Sequence, residues 1–583
     1  MAISLTELGA SHGFTAGDLD TNGWFAMIPA FQEVFFADGR VNGYHVLDMY
    51  RTKLTGTITG AFKDTEYIEQ ENSEAKGYFI GTDGTNHLVY RISTIEFNTV
   101  DEITGSVSGA TLTPTAVTAP PHWGVWTESL AATSDANGTA ASGTSTSLTD
   151  SNIAGTYADD YFNGKVLKVT GGTGVYETAT ITDYDGTLGK FTFAALSGGS
   201  TPDATTTYSV YSIATGLPEG GANAGCLCFG RIFLNSIMNP NQWYSSRAGN
   251  PRDWLVNQND LGTPVSSQTS KAGLVSSPLV GFVPYQDHYL LFGLMDSWWV
   301  MRSDPRAGGT LTQLTTETGM LSPTAYCWDE NSNLFILGFD GVYYLPPTGV
   351  INAQAPVNIT RGRMPRLFRD MAVNKNTDNI SMAYDKDRYG IRIAVTQKDG
   401  DWETSFWIDL RSGDVLEEGG KIFPESYNKA HRAHSLYYYQ SQNAVNRALL
   451  IGCDDGYIRR YDDDSKSDGS EAIKSFFTIG PFVSEVTRGT IKHNETSIEL
   501  DSDSDGITVE LHISKTAQEV IEAIDNGVAA KVSKDIASNN LLRSVREKVR
   551  GGAIAIVIRN DNADETFAID KIDSKIEQSG RVK

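Results

Sequence analysis

Residues 230–254 read GRIFLNSIMNPNQWYSSRAGNPRDW, and this stretch sets the pattern for the chain. Gly230-Arg231-Ile232-Phe233-Leu234 is an apolar run opened by glycine, and Gln242-Trp243-Tyr244-Ser245 is a second short run. Short β-branched and aromatic runs bounded by Gly, Asn and Pro predict strands. Gly249-Asn250-Pro251 predicts a tight turn, and Trp254 predicts an anchor that ties the following loop to the strands.

Working outward, runs of the same kind recur at 279–283, 289–292, 298–301, 333–337, 342–345, 390–395, 405–410, 449–451 and 457–461. Many short strands at this spacing predict an all-β chain built as a sandwich, barrel or propeller. The 57 glycines and 10% aromatic residues suit tight turns between strands. A weak repeat accompanies the pattern: Ile80-Gly81-Thr82-Asp83-Gly84, Leu337-Gly338-Phe339-Asp340-Gly341 and Ile451-Gly452-Cys453-Asp454-Asp455-Gly456. A hairpin reused around an axis reads as a propeller blade. The alternative is that Asp-Gly simply marks a tight turn.

Four regions follow. Residues 1–126 read as the N-terminal part of a propeller body, with an irregular start and a hairpin from Tyr78 to Ile92. Residues 127–212 open with a small, polar stretch and regain strand character at Lys165-Val166-Leu167, from Tyr176 to Ile181 and at Lys190-Phe191, predicting an inserted small barrel or sandwich. Residues 213–474 carry the main body. Residues 475–583 read as a C-terminal β-domain with one helix from Thr516 to Asp525, where Thr516 and Glu519 fit a capping box, Val520, Ile521 and Ile524 share a face, and Gly527 follows the end.

Lys and Arg number 47 against 71 Asp and Glu, a net charge of −24, which disfavours a generic nucleic-acid binder. The N-terminus has no basic stretch leading into an apolar one, and no window approaches a membrane span. Four cysteines are too few for a disulfide scaffold. Cys226 and Cys228 lie two apart and would share one core-facing side of a strand.

The chemical motifs are weak. Gly9-Ala10-Ser11-His12-Gly13 matches a nucleophile elbow but lacks the flanking strand and helix. Gly171-Gly172-Thr173-Gly174 precedes a β-branched run, which predicts a hairpin turn and not a phosphate cradle. Asp501, Asp503 and Asp505 copy half a calcium loop, yet its twelfth position is His512, so a turn is expected, with a weak cation site as the alternative. His431 and His434 could present two imidazoles on a helix face, but no Cys, Asp or Glu nearby in sequence completes a ligand set. Asp462-Asp463-Asp464 reads as a solvated loop. Trp298-Trp299 and Tyr437-Tyr438-Tyr439 could stack on sugars, but adjacent strand residues point to alternate faces, so packing on both, or a subunit contact, is expected. No catalytic, cofactor-binding or metal-binding set is assigned.

The 230–254 stretch, with its Gly-Arg strand, its second strand ending in Tyr244-Ser245 and its Gly249-Asn250-Pro251-x-x-Trp254 turn, resembles the tail hub or nozzle proteins of short-tailed bacteriophages, the packaged-DNA stabilisation class. Residues 282–302 and 333–344 fit the next units of that pattern, and the C-terminal domain ending in Gly580-Arg581 is similar in style. The resemblance covers roughly 220–480; the 127–212 insert departs from it. It implies a distorted β-propeller in a homohexameric ring at the virion tail, contacting tail adaptor proteins and tail fibres or spikes. DNA would pass through the lumen without sequence-specific binding. An acidic wall suits that role, since each basic side chain would exchange counterions for a phosphate and retard the duplex. Two readings compete: a carbohydrate-binding adhesin or tailspike-like receptor binder, and a propeller hydrolase that would need paired carboxylates among Asp340, Asp385 and Asp409.

Overall fold

A computed structural model describes the chain except for residues 1–7, 21–22, 42, 64–65, 83–84, 127–135, 176, 197–198, 212–216, 219, 255, 257–261, 363–372, 375–376, 399–402, 412–420, 428, 463–464, 470, 486–488, 538–542 and 582–583. The expected Asp83-Gly84 turn, Tyr176, Asp463-Asp464 and much of the small polar stretch that opens the insert therefore lie outside the described residues. The protein is all-β, with short 3-10 turns and two α-helices among the described residues, Pro347–Asn352 and Ala517–Asp525. It divides into two compact units: residues 1–384 with 410–421, and residues 385–409 with 422–583.

In the first unit, four-stranded antiparallel sheets follow one another along the chain. The first joins Ala26–Ala30, Glu33–Ala37, Tyr44–Asp48 and His122–Val125. The second runs Gly225–Cys228, Arg231–Asn235, Trp243–Ser245 and Val265–Ser266. The third is Leu279–Tyr285 through Thr310–Thr315, and the fourth Tyr326–Trp328 through Val357–Asn358.

Their stacking follows from strand alternation. All five residues of Arg231–Asn235 are buried. Ile232 and Leu234 pack with Ile28, Phe35 and Val46 of the first sheet. Phe233 points the other way, to Phe282 and Phe292 of the third. In the third sheet Leu290 and Phe292 face the second, while Leu291, Trp298 and Val300 face Leu334 and Ile336 of the fourth. A strand buried on both faces has no polar side to show, which is why these runs read as continuous apolar stretches.

Two segments interrupt the series. Within residues 1–126, which the sequence reads as one continuous part of the body, strands Tyr44–Asp48 and His122–Val125 pair directly. Between them an eight-stranded sheet, from Arg51–Thr55 to Ala116–Thr118, closes its own core around Leu54, Ile68, Phe79, Val89 and Ile103. The first Asp-Gly copy sits here, between Ala75–Thr82 and Asn86–Arg91. These two flanking strands pair outside the stacked series, whereas the second copy joins the second and third strands of the fourth sheet. The other segment is the insert. Its seven strands, Ala136–Thr139 through Thr207–Tyr211, enclose Phe162, Leu167, Tyr184, Phe191 and Tyr208.

The second unit carries the hairpin Gly390–Gln397 with Glu403–Asp409, and a three-stranded sheet of Ala433–Tyr439, Ala448–Cys453 and Ile458–Arg460. The third Asp-Gly copy joins the last two of these. A sandwich follows, with Ile498, Leu500, Val509, Ile556 and Ile558 in its core and Gly489–Leu500 paired along Ile569–Arg581. The helix Ala517–Asp525 starts as expected, the Thr516 hydroxyl accepting from the Glu519 N–H at 3.2 Å. The reciprocal bond differs by one residue: the Glu519 carboxylate accepts from the Lys515 N–H at 3.0 Å. Its apolar face is also rotated from the expected one. Val520 is buried with Ala517 and Ile524 beside it, and Ile521 is exposed.

Candidate functional site

The turn 249–254 is the best-built polar cluster of the first unit, and each of its residues has a defined task. Gly249 has φ of +73°, in the region that favours glycine, and its N–H donates to the Gly230 carbonyl at 2.9 Å. A Cβ there would meet nothing within 4 Å. Gly249→Ala should therefore lose only backbone energy, about 1–2 kcal/mol, measurable as a shift in denaturation midpoint with no change in m-value. The Asn250 side-chain carbonyl accepts from the Arg252 N–H at 3.0 Å and closes the turn. The Pro251 carbonyl accepts from two indoles, Trp254 Nε1 at 2.8 Å and Trp126 Nε1 at 2.9 Å. Trp254 is buried, edge-on to Trp126 at 5.8 Å. Gly249, Asn250, Pro251 and Trp254 thus form one bonded turn and anchor.

The two residues the motif leaves open carry the charge. Arg252 makes a bidentate pair with Glu33 of the first sheet, at 2.8 and 2.9 Å, and both are buried. Arg51 adds a contact to Glu33 at 3.5 Å and another to Asp48 at 3.1 Å. Burial pushes the Glu33 carboxyl up, but the Arg252 and Arg51 guanidiniums outweigh it and hold it below the usual carboxylate value. Asp253 is buried, and its carboxylate lies 3.6 Å from Arg247, whose N–H donates to the Asp253 carbonyl at 2.8 Å. Sequence reasoning missed Glu33, Arg51, Trp126 and Arg247. The signal within reach was Arg252-Asp253 itself, two charges set beside a buried tryptophan, which require partners.

The remaining motifs are occupied by structural bonds. Residues 10–12 form a 3-10 turn, not an elbow. Gly171 ends a strand that pairs with Thr178–Asp185, giving the expected hairpin. The Asp505 carboxylate accepts from the Thr566 N–H at 2.9 Å and from Lys466 at 3.1 Å, so the 501–506 loop is a turn with the last of its three acids already paired. His431 ends a 3-10 turn and lies 2.7 Å from Asp468; His434, on a strand, lies 3.1 Å from Asp454. The two histidines therefore do not share a helix face. Among the described residues no group of three or more His, Cys, Asp or Glu is placed to hold a metal ion.

Asp340, in the first unit, accepts from the Tyr343 hydroxyl at 2.7 Å. Asp385, in the second, faces Arg388 at 3.4 Å and Arg392 at 3.6 Å, and Arg392 stacks 3.8 Å from the Tyr461 ring centre. Asp409 is buried at the end of its strand. Trp298 and Trp299 pack into two different cores, as alternation requires.

All four cysteines are free and buried, with Cys226 and Cys228 on one side of their strand. Burial pushes the Cys228 thiol up to about 12 and those of Cys226 and Cys327 well above their usual range. Iodoacetamide at pH 8 should leave all four unlabelled in the folded chain and label all four in denaturant, read by intact mass.

Among the described residues no helix is long and apolar enough to cross a membrane. No protein-family profile matches the chain, and no curated protein does. Among solved structures, the extracellular domain of a one component system from B. thetaiotaomicron matches at 11% identity and TM-score 0.26, covering 94% of this chain and 73% of that one. Kluyveromyces lactis Hsv2 matches at 8% identity and TM-score 0.21, covering 69% and 96%. An exo-beta-1,3-galactanase from Phanerochaete chrysosporium matches at 12% identity and TM-score 0.21, covering 76% and 100%. These likenesses are too slight to carry an argument, and the fold rests on the chain's own strands.

Proposed function

We propose that the chain is a structural subunit of the tail nozzle or hub of a short-tailed bacteriophage. Its successive meanders act as blades of a distorted β-propeller, and copies close into a ring through which DNA is retained and ejected. The observation that carries this reading is the run of four sheets in chain order, each stacked on the next. The first two are cross-tied by the 249–254 turn, whose sequence bears the resemblance. The net charge of −24 supports it, because a polyanion slides past an acidic wall without trading counterions. The subunit has no catalytic role in this reading and takes adaptor proteins and fibres or spikes as partners in the virion tail.

A second reading, a carbohydrate-binding adhesin, is favoured by tyrosines left in solvent. Tyr437 and Tyr457 are 66% and 69% exposed. Native mass and negative-stain imaging of the purified chain separate the two. A six-fold ring with a duplex-wide bore is the expected result. A trimer that binds glycans transfers the case to the adhesin, and a monomer that cleaves polysaccharide overturns both.

A further inference from the structure

The insert and the body meet at Arg247. Its Nη2 donates to the Tyr161 hydroxyl at 2.8 Å, while Nη1 lies 3.6 Å from the Asp253 carboxylate. Both receivers are ordered before the arginine reaches them. On the insert, Tyr161 stacks on Tyr157 at 5.0 Å, meets Phe162 edge-on at 4.8 Å and carries the Lys165 ammonium 4.5 Å from its ring centre. On the body, Asp253 belongs to the turn fixed by Gly249, Pro251 and the Arg252–Glu33 pair. The insert's core closes entirely within residues 136–210, so its folding does not depend on this junction.

We propose that the insert is a latched arm, with Arg247 as the catch between Tyr161 and Asp253. Opening the catch changes the orientation of the arm and leaves its fold intact. A side chain bonded to two pre-ordered bodies can act as a catch, because its bonds favour the orientation in which both are made and supply a defined bias toward it. The inference is independent of whether copies of the chain form a ring.

The test uses the full chain with spin labels on Ser145→Cys in the insert and Thr316→Cys in the body, both exposed positions. The four native thiols are buried and stay unlabelled. Pulsed dipolar spectroscopy should give one narrow distance distribution. Tyr161→Phe removes the hydroxyl and keeps the ring packing, so it should lower the latched-to-released ratio about ten-fold and broaden the distribution. Arg247→Ala should broaden it further. Amide hydrogen exchange of the insert's strands, read by peptide mass, should be unchanged in both variants. A distribution that stays narrow in both overturns the proposal. So does loss of the insert's amide protection in Arg247→Ala with a narrow distribution in Tyr161→Phe, since the junction would then be part of the fold.

Discussion

Glu33→Gln should lower the stability of the first unit by about 3–5 kcal/mol, seen as a fall in the denaturant midpoint. Glu33 and Arg252 are both buried and share two hydrogen bonds. Removing one charge strands the other in a low-dielectric site, and that penalty exceeds what the pair contributes over an apolar substitute. Glu33→Met combined with Arg252→Met should accordingly recover much of the loss, which separates the stranded charge from a simple packing defect. The pH dependence has a fixed sign. The Glu33 carboxyl is held below its ordinary value of 4.5 in the folded chain. Its contribution is complete above that value and is lost as pH falls through the lower, folded one. The wild type should therefore lose stability below about pH 4.5 more steeply than Glu33→Gln, measured as the midpoint at pH 3 against pH 7.

That pair also shows where sequence reading stops. The strands of the stacked sheets were legible because a strand buried on both faces is apolar along its middle, as residues 232–234 and 334–337 are. The Gly249–Trp254 turn was legible because positive φ and a buried indole each demand a particular residue. Glu33 and Arg252 stand 219 positions apart, and nothing local in either marks the other. The pairing of Tyr44–Asp48 with His122–Val125 was hidden for the same reason. A whole sheet is spliced between two adjacent strands, and its hairpins look like those of the series it interrupts. At the helix Ala517–Asp525 the cap was readable, yet apolar spacing alone could not decide whether Ile521 or Ala517 completed the buried face, because tertiary packing sets that rotation.

Trp254→Ala should cost about 3–5 kcal/mol, comparable to the charge deletion but by a different route. The indole is 3% exposed and packs in one cluster with Trp126, Phe35, Tyr44 and Ile232, which joins the first sheet to the second. Removing it leaves a cavity that the turn cannot readily collapse into, because Asn250 and the Arg252–Glu33 pair hold the backbone that leads into it. Trp254→Phe distinguishes volume from hydrogen bonding. The ring fills most of the space, and the Pro251 carbonyl keeps its bond from Trp126, so the loss should be nearer 1 kcal/mol. If the phenylalanine variant is as damaged as the alanine one, the shared carbonyl and not the buried ring is what fastens the turn. Because the Trp254 loss comes from apolar burial and carries no titrating group, it should be the same at pH 3 and pH 7, whereas that of Glu33→Gln shrinks in acid. The two faults should also fail to add in the double variant, since Arg252 and Trp254 lie on one short turn and share its backbone.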